Sequence, residues 1–182
     1  MTLHVKEGGQ GPELVLLHGW GMHGGVWSPV RGALEERFHL NVFDLPGHGF
    51  SSFLPLRGLD DAVDEIAAQM PRDAILCGWS MGGLLAQRLA RRHPARVRAL
   101  ALVSATPCFV ERPGWPHAIK PETLAGFASG LRTDLEATLK TFVALNALGG
   151  SNSRAAMRAL AGELVARGAP DPSALDAGLA LI

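Results

Sequence analysis

A serine between two glycines is the residue in this sequence best placed to act as a nucleophile. Ser80 lies in the motif Gly-Trp-Ser-Met-Gly at 78–82, after an apolar run at 74–77 and before a helical pattern. A sharp turn between strand and helix would expose its hydroxyl, and the helix N-terminus would stabilise developing negative charge. Gly78 and Gly82 are needed because strand and helix approach too closely for Cβ atoms. A chance serine in a glycine-rich turn is the alternative, but the flanking strand and helix favour a nucleophile.

The elements that would position this serine alternate between strands and helices. Apolar runs predict strands at 14–17, 40–44, 74–77 and 97–103, with a further strand possible at 3–6. Helical patterns cover about 29–37, 59–70 and 81–93. The alternation predicts a parallel α/β sheet, in which the runs at 14–17 and 97–103 are buried strands.

The pattern changes after Ser104. An irregular, proline-containing loop leads into helical patterns at about 121–131, 134–148, 152–167 and 172–181. Asp171 is a good N-cap residue, with Pro172 at the first helical position. No strand pattern follows residue 103. We therefore predict two units, the N-terminal part of an α/β core at 1–104 and a four-helix cap at 105–182.

The composition argues against several classes of partner. Seventeen basic and seventeen acidic residues cancel, so the overall charge indicates neither nucleic acid nor a membrane surface. The N-terminus has no apolar signal core, and no apolar run is long enough to span a membrane. Cys77 and Cys108 lack metal-site spacing, and Cys77 is predicted to be a buried thiol. This cysteine usage favours a reducing cytosol, so a cytoplasmic location is predicted.

Three motifs, each after a predicted strand, resemble those of the α/β-hydrolase family. His-Gly-Trp-Gly at 18–21 resembles its oxyanion loop, Asp-Leu-Pro-Gly-His-Gly at 44–49 the loop after the next strand, and 78–83 the nucleophile elbow. Runs at 107–109, 115–116, 119–127 and 142–146 further resemble the carboxylesterases that remove the methyl ester from pimeloyl-[acyl-carrier protein] in biotin synthesis. The resemblance implies a mostly parallel sheet with helices on both faces, a helical cap, and ester hydrolysis without metal or cofactor.

The resemblance also implies two catalytic residues that this sequence does not contain. Hydrolases of this fold carry serine, acid and histidine in that order, the last two after the cap. The chain ends at Ile182 without either motif, so we expect the N-terminal part of an enzyme, lacking the C-terminal core strands. The strand at 97–103 would then be an open edge. His117 is the least implausible substitute base. No catalytic motif surrounds any of the histidines at these positions: His18, His23, His39, His48, His93 and His117.

Particular residues acquire roles from the resemblance. Ser80 is the nucleophile, the backbone N–H groups of Met81 and Trp20 are the oxyanion donors, and Asp44 shapes its loop. Substrate contacts are implied for Phe142, Val143, Ala144, Leu145 and Asn146. The family has a Phe-x-x-x-Gln pair here, and Asn146 shortens its polar reach by one methylene. Core packing is the alternative role for the side chains of Trp20 and Phe142.

A pair of arginines lies one helical turn apart on the predicted helix at 152–167. The resemblance implies that Arg154 and Arg158 contact an acyl carrier protein that carries the pimeloyl methyl ester. Two further basic positions of the family are occupied by Ala137 and Thr141, which weakens the patch. A solvated helix face is the alternative.

Three functions therefore remain open from the sequence. The first is the methyl ester carboxylesterase acting on pimeloyl-[acyl-carrier protein]. The second is an esterase or lipase for small free esters, on the same fold. The third is a non-catalytic, hydrolase-like binding module, because the triad is incomplete. Fold alone does not discriminate between them.

Overall fold

The computed structural model describes residues 1–146, 153–167 and 171–182, and five strands in this part of the chain form one sheet. The strands are β1 (Val5–Gly8), β2 (Glu13–Leu17), β3 (His39–Phe43), β4 (Ala74–Trp79) and β5 (Val97–Val103). The helices are α1 (Ser28–Glu35), α2 (Leu59–Gln69), α3 (Met81–Arg92), α4 (Pro121–Thr133), α5 (Leu135–Asn146), α6 (Ser153–Ala166) and α7 (Pro172–Leu181). The predicted elements are all present; the first strand is displaced from 3–6 to Val5–Gly8.

The strand order places the carboxyl ends of β2 and β4 side by side. The order is β1-β3-β2-β4-β5, with β1 antiparallel to β3 and the other pairs parallel. The chain leaves β2 towards β3 on one side and returns to β4 on the other. The loops that follow β2 and β4 therefore leave neighbouring strands in opposite directions, and such a switch point is where open α/β sheets bind ligands.

Helices cover both faces of the sheet, as predicted. Val15 and Leu17 of β2 are fully buried in the cluster that contains the apolar residues of α2 and α3. Leu14 and Leu16 point to the other face, where Trp27 and Leu34 pack beside them. Burying one such side chain contributes about 1.5–3 kcal/mol, so the continuous apolar run of β2 stabilises both layers. Cys77 of β4 is only half-buried on the second face, contrary to prediction.

Strand β5 is an open edge in the described part of the chain, as expected for a chain without the C-terminal core strands. The prediction from its apolar run that it is a buried strand is wrong. It pairs with β4 alone, and residues 99–103 are exposed, with Leu102 at 43%. Among the described residues, no further strand pairs with its outer side. Val97 packs against the main core, because it lies at the covered end of the strand. The apolar sequence of β5 therefore faces solvent instead of a packed layer.

The helices that follow β5, α4–α7, share the main core with the sheet. Leu131, Leu139, Val143 and Leu175 belong to the same buried cluster as β2 and α3. Helix α7 begins as predicted, because the Asp171 side chain accepts a hydrogen bond from the Ser173 N–H at 2.9 Å. Over the described residues, none of the helices combines the length and apolar character needed to cross a bilayer.

Candidate active site

The turn between β4 and α3 has the geometry of a nucleophile elbow. Ser80 has φ 54° and ψ −119°. Such a conformation costs of order 1–3 kcal/mol in a non-glycine residue and persists only where the surrounding structure imposes it. The Ser80 N–H donates to the Val103 carbonyl oxygen, and its own carbonyl oxygen accepts from the Gly83 N–H, both at 2.9 Å. The serine is therefore held between the end of β5 and the first turn of α3.

Close approach explains both glycines of the motif. A Cβ at Gly82 would contact the carbonyl oxygens of Leu17 and His18, at the end of β2. A Cβ at Gly78 would lie 2.6 Å from the Gly83 Cα. These separations are far below van der Waals contact, so a larger residue would push α3 away from the sheet. The structural reason predicted for glycine at 78 and 82 is confirmed.

The loop after β2 lies directly against the serine. A Cβ on Gly19 would be 3.3 Å from the Ser80 Cβ. His18 is fully buried; its Nδ1–H donates to the Gly19 carbonyl oxygen at 2.8 Å and its Nε2 accepts from the Leu45 N–H at 2.9 Å. Burial lowers the pKa of His18 to about 3, so the ring is neutral as this bonding pattern requires. His18 thus joins the loops after β2 and β3 beside Ser80.

Asp44, the residue after β3, organises the next loop. Its carboxylate is fully buried and accepts from the N–H groups of Gly24 at 2.7 Å and Phe50 at 2.8 Å. It also forms an ion pair with Arg167, at 2.7 Å between Nη1 and Oδ1. Burial alone raises the pKa of the Asp44 carboxyl, but the two N–H donors and the nearby positive charge outweigh it and hold the pKa below its ordinary value.

The Trp20 side chain packs beneath α4–α7. It is 2% exposed, and its indole Nε1–H donates to the Leu175 carbonyl oxygen at 2.8 Å. The ring makes edge contacts with Phe127 and Phe142, at centroid distances of 5.3 and 5.0 Å. The three aromatic rings therefore form an apolar wall between the sheet and the helices, and the packing alternative accounts for the Trp20 side chain.

Met81 is the first residue of α3 and is fully buried. A Cβ at Gly178 of α7 would lie 3.3 Å from the Met81 Sδ and 2.7 Å from the Trp20 ring. Helix α7 thus approaches the two predicted oxyanion residues closely. The N–H of Met81 lies at a helix N-terminus, where backbone donors favour negative charge.

A switch point between β2 and β4 and a strained serine elbow after a parallel strand are features shared with one large family. The family model described as the alpha/beta hydrolase fold matches residues 12–172. The chain belongs to the α/β-hydrolase family. The pimeloyl-[acyl-carrier protein] methyl ester esterase of Nitrosospira multiformis is 43% identical over 189 residues, covering 100% of this chain and 72% of the relative. The enzyme of the same name from Chromobacterium violaceum is 45% identical over 170 residues, covering 93% and 67%.

Solved structures of other α/β hydrolases show the same fold. An esterase (EaEST) from Exiguobacterium antarcticum superimposes with a TM-score of 0.83 at 22% identity, over 98% of this chain and 69% of that chain. The esterase RhEst1 from Rhodococcus sp. ECU1013 gives a TM-score of 0.73 at 26% identity, over 98% and 73%. The sheet and α4–α7 therefore follow the arrangement of this family.

This hydrolase shows no partner for the Ser80 hydroxyl within residues 1–146, 153–167 and 171–182. Several histidines contact other residues. Within the described part of the chain, no group of His, Cys, Asp or Glu side chains could hold a metal ion. The contacts are His18 with Gly19 and Leu45, His23 with Glu163, His39 with Glu13, His48 with Pro46, and His93 with Asp64. His117 is exposed. A base for Ser80 is therefore not found among the described histidines.

The predicted substrate residues of α5 face in different directions. Phe142 lies against Trp20, Val143 is buried in the core at 1% exposure, and Ala144 is half-buried. Leu145 is 58% exposed and turns away from the aromatic wall. The Asn146 side chain lies outside the described part of the chain. Among the described side chains of this run, Phe142 makes a ring contact with the predicted oxyanion residue Trp20.

The predicted carrier contacts, Arg154 and Arg158, are both exposed on α6. Nearby on α5, the Lys140 ammonium pairs with Glu136 at 2.6 Å. The Arg154 and Arg158 side chains are accessible to a partner protein, as a carrier-binding role requires. A solvated helix face would show the same exposure.

Sequence reasoning missed the partners that α6 and the residue after it provide for the loops after β2 and β3. Arg167 was not anticipated as the counter-ion of Asp44, and Glu163 was not anticipated beside His23. The one signal in the sequence for such a partner was Asp44, an acidic residue at the end of an apolar strand. A carboxylate buried at the head of a Gly-rich loop requires a positive partner or several N–H donors.

Proposed function

We propose that this α/β hydrolase is a cytoplasmic serine carboxylesterase that hydrolyses the methyl ester of pimeloyl-[acyl-carrier protein] in biotin biosynthesis. The Ser80 elbow indicates the class of reaction, because a strained serine beside a Gly-rich loop is typical of enzymes that catalyse acyl transfer. Relatives 43–45% identical, with that name, support the substrate. Residues 1–104 would be the N-terminal part of the core, and 105–182 the cap.

The reaction assigned to the site is nucleophilic acyl transfer. The Ser80 Oγ attacks the ester carbonyl carbon, and the N–H groups of Met81 and Trp20 stabilise the oxyanion that forms on the carbonyl oxygen. Collapse of the tetrahedral intermediate releases methanol and leaves an acyl-serine, which water then hydrolyses to the free carboxylate. Loss of one oxyanion donor typically reduces the rate about 100-fold or more. A histidine base, required to activate the serine, is not among the described residues.

The half-buried rings of Phe127 and Phe142, which pack beside the buried Trp20, would supply an apolar surface for the acyl chain. The Trp20 ring meets Phe127 and Phe142 edge to face, the Phe127 and Phe142 rings are tilted at a centroid distance of 6.1 Å, and none of the three carries a charge. A pimeloyl chain is apolar between its two carboxyl ends, so such a wall favours it by burial. Phe142 and Asn146 are the predicted substrate contacts of α5.

The carrier is expected to dock on the exposed face of α6. Acyl carrier proteins are acidic, so Arg154 and Arg158 offer complementary charge at i, i+4 spacing. We expect Arg154→Glu/Arg158→Glu in the full-length gene product to reduce kcat/KM for the carrier-linked methyl ester about tenfold at low salt. The loss should shrink as ionic strength rises, because salt screens exposed charges. Turnover of a small p-nitrophenyl ester should not change.

A matched control is available at the opposite edge of the sheet. Arg37 and Arg72 are exposed before the amino ends of β3 and β4, so Arg37→Glu/Arg72→Glu makes the same charge change away from Ser80. This control should retain activity on both substrates. Equal losses on both substrates from the Arg154/Arg158 variant would make that pair structural. Equal efficiency of the unmodified enzyme on free and carrier-linked esters would indicate a general esterase.

A further inference from the structure

The residue that follows α6 forms a buried ion pair with the core. The side chains of Arg167 and Asp44 are 13% and 0% exposed. The Arg167 guanidinium also lies over the Phe50 ring, 4.6 Å from its centroid, a favourable cation–π distance. Because Asp44 also accepts from the N–H groups of Gly24 and Phe50, one carboxylate joins the turn at 24–27, the loop after β3 and the end of α6.

A second contact lies one helical turn earlier on α6. The His23 Nε2–H donates to the Glu163 carbonyl oxygen at 2.6 Å, and the Glu163 carboxylate is 3.6 Å from the same nitrogen. The His23 Nδ1 accepts from the Gly25 N–H at 3.0 Å, which fixes the ring orientation. The last turn of α6 is therefore attached at two points, to Asp44 after β3 and to His23 in the loop that follows Trp20.

The predicted carrier contacts lie at the other end of the same helix. Arg154 precedes Arg167 by 13 residues, which corresponds to about 20 Å of α-helix. A small rotation at the attached end would therefore displace Arg154 and Arg158 by several ångströms relative to Ser80. We propose that Arg167 is a positioning residue, which orients α6 so that a carrier bound at Arg154 and Arg158 delivers its ester to Ser80. This inference rests on the proposed function.

The test compares three substitutions in the full-length gene product. Arg167→Gln removes the charge, Arg167→Lys keeps it, and Arg132→Gln is a control because the Arg132–Asp176 pair is 3.8 Å apart and largely exposed. We expect Arg167→Gln to raise KM for the carrier-linked ester about tenfold with kcat within about threefold, since the chemical groups stay in place. Arg167→Lys should recover most of this loss, and Arg132→Gln should have no effect.

Coupling between the two ends of α6 separates positioning from general stability. In the Arg167→Gln background, Arg154→Glu/Arg158→Glu should reduce kcat/KM for the carrier-linked ester by less than about twofold instead of about tenfold. The reason is that a misplaced arginine pair no longer contributes to carrier binding. Fully additive losses of kcat/KM from the Arg167 and the Arg154/Arg158 substitutions would overturn the proposal. So would an equal fall in kcat on the carrier-linked ester and on a small p-nitrophenyl ester.

Hydrogen–deuterium exchange tests the attachment without any substrate. Arg167→Gln should increase exchange in 153–166 and 24–27 and leave α4 unchanged, whereas unchanged exchange in 153–166 would overturn the proposal. Increased exchange with an unaltered KM for the carrier-linked ester would also overturn it. An unmodified enzyme inactive on that ester would instead contradict the proposed function, and the exchange result would still decide whether Arg167 holds α6.

Discussion

Ser80 combines a strained backbone with a short side chain that contributes little to packing. We therefore expect Ser80→Ala in the full-length gene product to reduce ester hydrolysis by about 1,000-fold or more, because no other nucleophile replaces the hydroxyl. The free energy of unfolding should change by less than about 1 kcal/mol, since only an oxygen atom is removed from a half-buried site. Turnover of a p-nitrophenyl ester and urea unfolding measure the two effects.

Ser104 provides a matched control for this substitution. It follows β5, the strand next to β4, and it also has positive φ, at 46°. Ser104→Ala removes the same atom from another residue with positive φ, so esterase activity should persist. A Ser80→Ala enzyme that kept more than a few per cent of the unmodified turnover would show that the nucleophile lies elsewhere.

The residues of the elbow were predictable because they are contiguous. The requirement for glycine at 78 and 82 follows from a local strand–turn–helix pattern, and the structure confirms it. Arg167 could not be found in this way, because its partner Asp44 is 123 residues away and one arginine at a helix end has no periodic signal. The same holds for the Trp20 indole and the Leu175 carbonyl, which are 155 residues apart.

At the scale of elements, apolar patterning located the strands and helices but misjudged the burial of one strand. The run at 97–103 predicts a strand regardless of what covers it, because its side chains are apolar on both faces. Whether such a strand is buried depends on the neighbouring layers, which the run itself does not encode. The continuous apolar run of β2 lies between β3 and β4 and is buried; that of β5 has one neighbour and is exposed.

The exposed edge of β5 should make the 182-residue chain associate. Unpaired backbone groups beside exposed Leu100 and Leu102 form a template for a further strand and an apolar patch in water. We expect light scattering of the purified chain to show oligomers or aggregates, and its turnover of a p-nitrophenyl ester to stay near background. Leu102→Lys should lower the average mass, because a charge on the edge opposes strand addition.

Val30→Lys is the control for this prediction. Val30 is 46% exposed on α1, so the substitution adds the same charge to an equally exposed apolar position away from the sheet edge. It should leave association unchanged. A monodisperse monomer with ordinary esterase turnover would contradict the prediction and would require a base among the histidines of this chain.

At the scale of the whole molecule, buried histidines should make stability depend on pH. His18 and His48 are at most 1% exposed, and burial lowers the pKa of each, that of His18 to about 3. In the unfolded chain a histidine has a pKa of about 6.5. Below pH 6.5 the unfolded state therefore binds protons that the folded state does not, and stability falls as the pH decreases.

The expected slope is about 1.4 kcal/mol per pH unit for each buried histidine once the pH is below the unfolded pKa and above the folded pKa. Urea unfolding at a series of pH values between 7.5 and 4.5 measures it in the full-length gene product. His48→Asn should lower the slope, because burial lowers the pKa of His48 in the folded state. His117→Asn, at an exposed position, should leave it unchanged. A stability independent of pH across this range would contradict the assignment of neutral, buried rings.

The contacts between α6, α7 and the core loops also determine when the molecule can be completed during synthesis. Asp44 meets Arg167, His23 meets Glu163 and Trp20 meets Leu175 across 123, 140 and 155 residues of chain. Chains emerge from the ribosome N-terminus first, so the strands around Asp44 are available long before Arg167 exists. In a nascent chain that stalls before this residue, the Asp44 carboxylate has its two N–H donors but lacks its counter-ion. Chaperones and proteases would bind such an incompletely folded chain. Resistance to degradation in this part of the molecule should therefore develop only after residue 167 has been synthesised.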